Sequence, residues 1–280
     1  MKKRYDLHTH TTYSDGTFTV EELLKRAKYI GLAGIAITDH DTMEGVSEAR
    51  AIAKSLDLDF VSGIEFSCSY EGYEIHILGY LLDEKSEELS SKLIELKKAR
   101  TNRNEKIVNR LNSLGLKITL DEIEKEATGT IVSRAHICNV MMKKGFVYTK
   151  GEAFKQYLGR KGAAYIEKES SNPFEIIKLI KKCGGVSALA HPSLICESKE
   201  KIEKILKLLI EAGLDGLEVE YSSYTPKETK YYKELANKNN LLMVGGSDFH
   251  GGNRVGVDIA HSSISKDDIK RLLERKCKED

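Results

Sequence analysis

The 280-residue sequence predicts a parallel α/β protein. Short apolar or β-branched segments alternate with longer amphipathic segments, which is the pattern of strands separated by helices. Several amphipathic segments begin with residues that cap helices. The composition agrees, because 40% hydrophobic residues with 22 glycines and three prolines is typical of a globular chain and not of a disordered one.

The predicted strands are short and are bounded by turn or capping residues. They cover residues 5–7, 34–38, 60–64, 74–82, 185–190, 216–220 and 241–246. Helices are predicted near residues 19–31, 43–56, 173–183, 199–213, 226–239 and 266–276. Several helix starts fit a capping box, in which a hydroxyl and a carboxylate three residues apart satisfy the free amides of the first turn. These pairs are Thr19 and Glu22, Thr119 and Glu122, Thr149 and Glu152, and Thr225 and Glu228.

The alternation stops between about residues 83 and 165, where Lys, Glu, Arg and Asn dominate. A stripe of apolar residues with helical spacing runs through its first part: Leu93, Leu96, Ile107, Leu111 and Leu114. We therefore predict an α/β domain made of residues 1–82 and 166–280, interrupted by a helical insert domain of residues 83–165.

A basic run lies within this insert, and Glu105 alone opposes it. It consists of Lys97, Lys98, Arg100, Arg103, Lys106 and Arg110. The favoured interpretation is a solvated helix face. The alternative is a track for a phosphate backbone.

The overall charge excludes some classes of protein. With 44 Lys and Arg against 43 Asp and Glu, the net charge of +1 argues against a general nucleic-acid coat protein or an acidic disordered tail. No apolar run approaches the roughly 20 residues of a membrane span, and no apolar signal segment follows the basic start. We expect a cytoplasmic protein without a membrane partner. The five cysteines are widely spaced, which favours reduced thiols over disulfides or a zinc-thiolate site.

Histidines and carboxylates follow the predicted strands. In a parallel barrel the carboxyl ends of the strands share one face, so residues that are distant in sequence converge there. The residues at strand ends are His8, His10, His40, Glu65, His191, Asp248 and His250, with Asp15 in the loop after His10 and His76 inside a strand. The His-x-His spacing points both imidazoles of the first pair to the same side of an extended segment.

Imidazoles and carboxylates without thiolates suit Zn(II), Mn(II) or Fe(II). Nine candidate ligands are too many for one ion, so we predict two or three divalent ions with Glu65 as a bridge. From position alone, His76 could instead face the core.

Neighbouring acidic residues have other expected roles. Asp39 and Asp41 flank His40 and are expected to orient a ligand or to cap the next helix. Glu218 and Glu220 lie near a strand end and are expected to be structural. His261 is expected to be an ordinary surface histidine.

These segments resemble the PHP (polymerase and histidinol phosphatase) family of metal-dependent phosphoesterases. The segments that match are Asp6–Gly16, Ile37–Thr42, Gly63–Ser67, Glu74–Gly79, Leu189–Pro192 and Gly246–His250. The resemblance implies a distorted (β/α)7 TIM-like barrel with a three-metal site. It also implies three ligand sets: His8, His10, Glu65 and Asp248; Glu65, His76 and His191; and Asp15, His40 and His250.

A second resemblance lies in the insert. The segment Ile131–Ile137 is similar to a stretch found in a PHP subgroup of 3′,5′-nucleoside bisphosphate phosphatases and short-RNA 5′→3′ exonucleases. The resemblance implies that Arg134 and His136 hold the substrate phosphate. The residue types are consistent with this phosphate-binding role. Ser133 is a suitable N-cap residue and would place the Arg134 guanidinium at the start of a helix, a position that favours anions. Without the resemblance, a surface arginine and a buried histidine would explain the pair equally well.

The hypothesis that follows is a phosphatase of a small phosphorylated substrate, with a 3′,5′-nucleoside bisphosphate or a mononucleotide as the first candidate. A hydroxide that bridges two ions would attack phosphorus in line, while the ions and Arg134 neutralise the phosphoryl oxygens. His136 or His250 would protonate the leaving oxygen, and Asp248 completes the predicted catalytic set. The alternatives are a 5′→3′ exonuclease on short RNA or DNA, a histidinol-phosphate phosphatase, and a metal-binding module without activity.

Overall fold

A computed structural model describes residues 3–127, 129–167 and 171–276. Its strands form one eight-stranded sheet with the order β7-β6-β5-β4-β3-β2-β1-β8. The strands are β1 (Arg4–Asp6), β2 (Gly34–Ile37), β3 (Asp59–Tyr70), β4 (Tyr73–Tyr80), β5 (Val186–Leu189), β6 (Gly216–Tyr221), β7 (Leu242–Gly246) and β8 (Ile264–Ser265). The predicted α/β architecture is therefore present, with one additional two-residue strand, β8.

The two ends of the sheet nearly close into a barrel. The segment that follows β1 hydrogen-bonds to the end of β7 and the residues after it. Leu7 N–H donates to the Gly245 carbonyl oxygen at 3.1 Å, and His10 N–H donates to that of Phe249 at 2.9 Å. Buried apolar side chains of the strands pack together inside: Tyr5, Leu7, Ala36, Val61, Leu78, Tyr80, Val186, Ala188 and Val244.

The sheet is mixed, not fully parallel as predicted. Strands β3 and β4 form an antiparallel hairpin, and β4 also pairs antiparallel with β5. The reversal occurs at Glu71 and Gly72, which both have positive φ angles. Strand β3 also continues to Tyr70, so the prediction that Glu65 follows a strand end was wrong: Glu65 lies within β3 and pairs with Leu78 of β4.

Helices occupy most of the remaining chain. They are α1 (Val20–Tyr29), α2 (Val46–Ser55), α3 (Glu87–Ser113), α4 (Leu120–Glu124), α5 (Arg134–Lys143), α6 (Lys150–Ala153), α7 (Pro173–Lys182), α8 (Lys199–Glu211), α9 (Pro226–Lys238) and α10 (Lys266–Lys276). A π-helical turn, Phe154–Leu158, extends α6. Thr19, Thr119 and Thr225 form both hydrogen bonds of the predicted capping box. Thr149 forms only one of the two: its hydroxyl oxygen accepts a hydrogen bond from Glu152 N–H, whereas the Glu152 carboxylate accepts one from Tyr148 N–H.

Between residues 83 and 165, the described part of the chain is helical and contains no strand. Helices α3 to α6 and the π-helical turn share their own apolar cluster, which includes Ile107, Leu111, Ile123, Ile137, Met141 and Leu158. The exact domain boundaries stay a prediction. No helix among the described residues is long and apolar enough to cross a membrane. Cys68, Cys138, Cys183 and Cys196 are not in disulfide bonds, and Cys277 lies outside the described residues.

Candidate metal centre

The structure brings all nine predicted ligands together. The segment after β1 contributes His8, His10 and Asp15, and the segment after β7 contributes Asp248 and His250. The other four come from the loop after β2 (His40), from β3 (Glu65), from β4 (His76) and from the turn after β5 (His191). Each of these side chains has a donor atom near that of another member of the set.

Glu65 is the hub of this cluster. Its side chain is 1% exposed and meets five imidazoles. Oε1 lies 2.8 Å from His76 Nδ1 and 2.9 Å from His191 Nε2. Oε2 lies 3.3 Å from His8 Nε2, 3.2 Å from His10 Nε2 and 3.1 Å from His40 Nδ1. One carboxylate therefore faces two separate groups of imidazoles, as a bridging ligand would.

The donor atoms form three overlapping groups. They are His10, Asp15, His40 and His250; His8, His10, Glu65 and Asp248; and His40, Glu65 and His76. The second group is the ligand set that the resemblance implies. The third differs, because His40 stands in the place expected for His191, although His191 contacts Glu65 directly.

The residues fit divalent ions. His8 Nε2 and His10 Nε2 lie 3.3 Å and 3.2 Å from Asp248 Oδ1, close to the ~3.3 Å separation of two donors that share a tetrahedral ion at bond lengths of ~2.0 Å. Six buried donor atoms lack a hydrogen bond: His8 Nε2, His10 Nδ1, His10 Nε2, His40 Nδ1, Glu65 Oε2 and His76 Nε2. Buried polar atoms rarely lack partners, so their convergence indicates cations at these positions.

Without metal, carboxylates hold protons on some of these imidazoles. Burial lowers the pKa of His10, but Asp248 and Glu65 outweigh it and raise the pKa to about 9. Burial likewise disfavours the charged form of His76, yet Glu65 and Glu74 raise its pKa to about 10. For His40 burial dominates and lowers the pKa to about 3.

We expect metal binding to release protons at pH 7. A metal ion binds neutral imidazole, so it must displace the protons of His10 and His76, and affinity should rise with pH up to about pH 10. Calorimetric titration with Zn(II) in two buffers of different ionisation enthalpy measures the number of protons released. The exposed His261→Ala variant is the control and should behave as wild type. Equal heats in both buffers would contradict the expectation.

Glu218 belongs to the site although it was predicted to be structural. The side chain of Glu218 is fully buried. Its Oε1 atom lies 2.9 Å from His8 Nδ1, and its Oε2 atom accepts a hydrogen bond from the backbone N–H of His191 at 2.6 Å. It thus orients one predicted ligand and anchors the turn of another. No local sequence signal could have shown this, because His8 is 210 positions away. Glu220 pairs with Lys233 instead.

Asp39 and Asp41 fix the loops that carry ligands. Asp39 accepts hydrogen bonds from Thr11 N–H at 2.7 Å and from the hydroxyls of Thr11 and Ser14, each at 2.6 Å, which orders the loop between His10 and Asp15. The Asp41 carboxylate accepts a hydrogen bond from Ser67 N–H at 2.9 Å. The expectation that they orient ligands fits these contacts, whereas the helix-cap alternative was wrong, since Gly45 is the N-cap residue of α2 and no side chain caps this helix.

Three arginines line a cleft beside the cluster. The cleft has a volume of about 120 Å³ and is also lined by Asp15, His40, His76, Glu74 and Phe154. Arg100 and Arg103 reach it from α3 and are 6% exposed each, so the solvated-face interpretation was wrong for these two. It was correct for Lys97, Lys98, Lys106 and Arg110, which are exposed.

The third arginine, Arg134, lies where the sequence predicted. Ser133 caps α5, and Arg134 is its first residue. Its Nη2 lies 3.3 Å from Glu74 Oε1, and its guanidinium carbon lies 5.7 Å from the Phe154 ring centroid. The substrate-binding role of Arg134 stays a prediction.

The two predicted catalytic histidines differ in the atoms that remain available. His136 is 5% exposed, and its Nδ1 accepts Ser133 N–H at 3.0 Å, which leaves Nε2 for a substrate. His250 Nδ1 lies 2.9 Å from the Asp248 carbonyl oxygen, which can only accept, so Nδ1 carries the proton. His250 Nε2 lies 3.2 Å from Asp15 Oδ1, a separation at which both atoms can bind one cation, and this favours the predicted role of His250 as a metal ligand.

The chain is similar to several known proteins. Residues 6–248 match the PHP domain. A 5′-3′ exoribonuclease of Haemophilus influenzae is 32% identical over 89% of this chain and 91% of its own length, and a 3′,5′-nucleoside bisphosphate phosphatase of Chromobacterium violaceum is 28% identical over 92% and 90%. A Bifidobacterium adolescentis crystal structure, assigned as a metal-dependent phosphoesterase, superposes with a TM-score of 0.88 at 31% identity and covers 97% of this chain and 96% of its own.

This chain therefore belongs to the PHP domain family, and the predictions of that family, of its TIM-like α/β fold and of a metal-dependent phosphoesterase are confirmed.

Proposed function

We propose that this phosphoesterase removes a phosphate from a nucleotide that carries two phosphates, with 3′,5′-nucleoside bisphosphates as the first candidates. The observation that carries the proposal is the position of the Arg100, Arg103 and Arg134 guanidinium groups in the same cleft as His40, His76 and Asp15. One phosphate of such a substrate would lie at the metal ligands and the other at the arginines.

We propose two or three divalent ions, Mn, Zn or Fe, held by the nine residues of the cluster. When bound, such ions supply Lewis acidity towards phosphoryl oxygens and lower the pKa of coordinated water. Glu218, Asp39 and Asp41 keep the ligand-bearing loops in place, and the barrel wall around Glu65 excludes bulk water from the buried side.

The charge of the arginines favours a second anionic group in the substrate. Arg100 pairs with Asp41, and Arg134 pairs with Glu74. Arg103 forms no ion pair with any described residue, and its one side-chain hydrogen bond goes to Asn104 Oδ1 at 3.2 Å. Burial, together with the charges of Arg100 and Arg134, lowers the pKa of Arg103 to about 9. A buried cation without a counterion is costly, so an anion in this cleft would be strongly favoured.

A 5′→3′ exonuclease on short oligonucleotides is the second candidate. Beyond Arg103 and Arg134 the cleft adjoins a small cavity of about 40 Å³ that is also lined by Tyr73 and Tyr165. The Haemophilus influenzae relative is named for this activity. A nucleotide or RNA substrate also fits the cytoplasmic location expected from the sequence.

Phosphate release in the presence of Mn(II) tests the proposal. We expect kcat/KM for a 3′,5′-nucleoside bisphosphate to exceed that for the matching 5′-monophosphate by about 10- to 100-fold, since a charge-assisted hydrogen bond contributes roughly 1.5–3 kcal/mol. Histidinol phosphate should be a poor substrate. Failure to hydrolyse any phosphoester would overturn the proposal. Release of mononucleotides from the 5′ end of oligonucleotides, with a steep loss of rate as salt increases, would favour the second candidate.

A further inference from the structure

The two carboxylate oxygens of Asp248 face different surroundings. Oδ1 faces the imidazoles and lies 3.3 Å from His8 Nε2 and 3.2 Å from His10 Nε2. Oδ2 accepts the Tyr221 hydroxyl at 3.0 Å and also pairs with Arg254 Nη1. Only Oδ1 is therefore free of hydrogen-bond donors from outside the cluster.

Tyr221 and Arg254 support each other. Tyr221 ends β6 and is 2% exposed, whereas Arg254 lies in the loop after β7 and its side chain is 26% exposed. The guanidinium carbon lies 4.9 Å from the Tyr221 ring centroid, which is a cation–π contact. Together the hydroxyl and the guanidinium fix the plane of the Asp248 carboxylate.

Arg254 also supports the backbone of Asp248. This residue has a φ angle of +53°, in the left-handed region that a non-glycine residue rarely adopts. Arg254 Nη1 donates to the Asp248 carbonyl oxygen at 3.2 Å, and His250 Nδ1 donates to the same oxygen at 2.9 Å. The side chain of Arg254 thus contacts both the backbone and the carboxylate of one predicted ligand.

We propose that Arg254 and Tyr221 are positioning residues that keep Asp248 a ligand through Oδ1 alone, and that they thereby set the metal affinity of the group formed with His8, His10 and Glu65. The inference rests on the proposed metal ligands. It does not depend on which phosphoester is hydrolysed.

Charge and position predict opposite effects for the loss of Arg254. A guanidinium repels a divalent cation nearby, so charge alone predicts tighter metal binding after its removal. Loss of the partners that orient a ligand typically weakens metal binding about 10- to 100-fold. The sign of the change therefore distinguishes a positioning role from a simple effect of charge.

The test is Zn(II) affinity, measured by competition with a chromogenic chelator in the absence of substrate. We expect Arg254→Met to weaken the tightest site about 10- to 100-fold and Arg254→Lys to recover part of the loss. Tyr221→Phe removes one oxygen atom and should weaken binding by roughly fivefold. The double variant should lose less Zn(II) affinity than the product of the two single-variant factors, because both side chains act on the same oxygen, Asp248 Oδ2. Arg271→Met, which removes an exposed arginine of α10, should bind as wild type.

An Arg254→Met or Tyr221→Phe variant that binds Zn(II) as tightly as wild type, or more tightly, would overturn the inference. Thermal unfolding of each metal-free variant shows whether the fold is retained, and Tyr221→Phe is the variant least able to disturb it. A wild-type protein that binds Zn(II) but hydrolyses no phosphoester would overturn only the proposed function. A wild-type protein that binds no Zn(II) would overturn the ligand assignment, and this inference with it.

Discussion

Glu65→Gln is expected to lower kcat/KM by at least about a thousand-fold and to remove at least one bound ion. Gln keeps the size of the side chain but replaces one of the two carboxylate oxygens that face five imidazoles with an amide nitrogen, which cannot bind a metal. Metal ions contribute several kcal/mol of charge stabilisation, and about 4 kcal/mol corresponds to this loss of rate. Elemental analysis of the purified variant gives the metal content, and phosphate release gives the rate.

The matched control for this variant is Glu211→Gln, at the exposed end of α8, which should keep the metal content and rate of wild type. Circular dichroism of both variants separates loss of metal from loss of fold. Full metal content in Glu65→Gln would refute the role of Glu65 as a bridging ligand.

The cluster of candidate metal ligands could be predicted because local patterns reveal its members. His8, His10, His40 and Asp248 come directly after short apolar segments, and the carboxyl ends of neighbouring parallel strands necessarily meet. The same logic predicted that Glu65 would join this cluster, as the structure shows, but placed it wrongly at a strand end. Strand β3 is buried on both faces for eight residues, so its sequence shows no change of pattern at the point where parallel pairing ends.

Residues that act across the fold could not be predicted in this way. Arg100 and Arg103 follow the spacing of an ordinary charged helix face, and only the docking of α3 against β3 and the loop after β2 turns them inwards. Glu218 likewise gains its role from His8, in the segment after β1, and Arg254 is held by the ring of Tyr221 on β6. The sequence shows which side chains carry charge, whereas their burial depends on how distant elements pack.

Arg103→Met is expected to make the metal-free protein more stable and the enzyme less active. Arg103 is 6% exposed and forms no ion pair with any described residue, so its charge costs free energy when no anion is bound. Methionine fills a similar volume without that cost, and a gain of about 1–3 kcal/mol in the free energy of unfolding at pH 7 is expected. For a nucleoside bisphosphate, kcat/KM should fall roughly 10- to 100-fold, because one charge-assisted hydrogen bond to phosphate is lost.

Urea unfolding and phosphate release measure the two effects on the same preparation. Lys98→Met, on the exposed face of the same helix, should change neither quantity appreciably. A less stable Arg103→Met protein would show that the guanidinium holds the insert and barrel together. An equally active one would show that the phosphate does not reach α3. Greater stability combined with lower activity is the result expected if Arg103 is held buried for an anionic ligand, since its charge then costs folding free energy and contributes to binding.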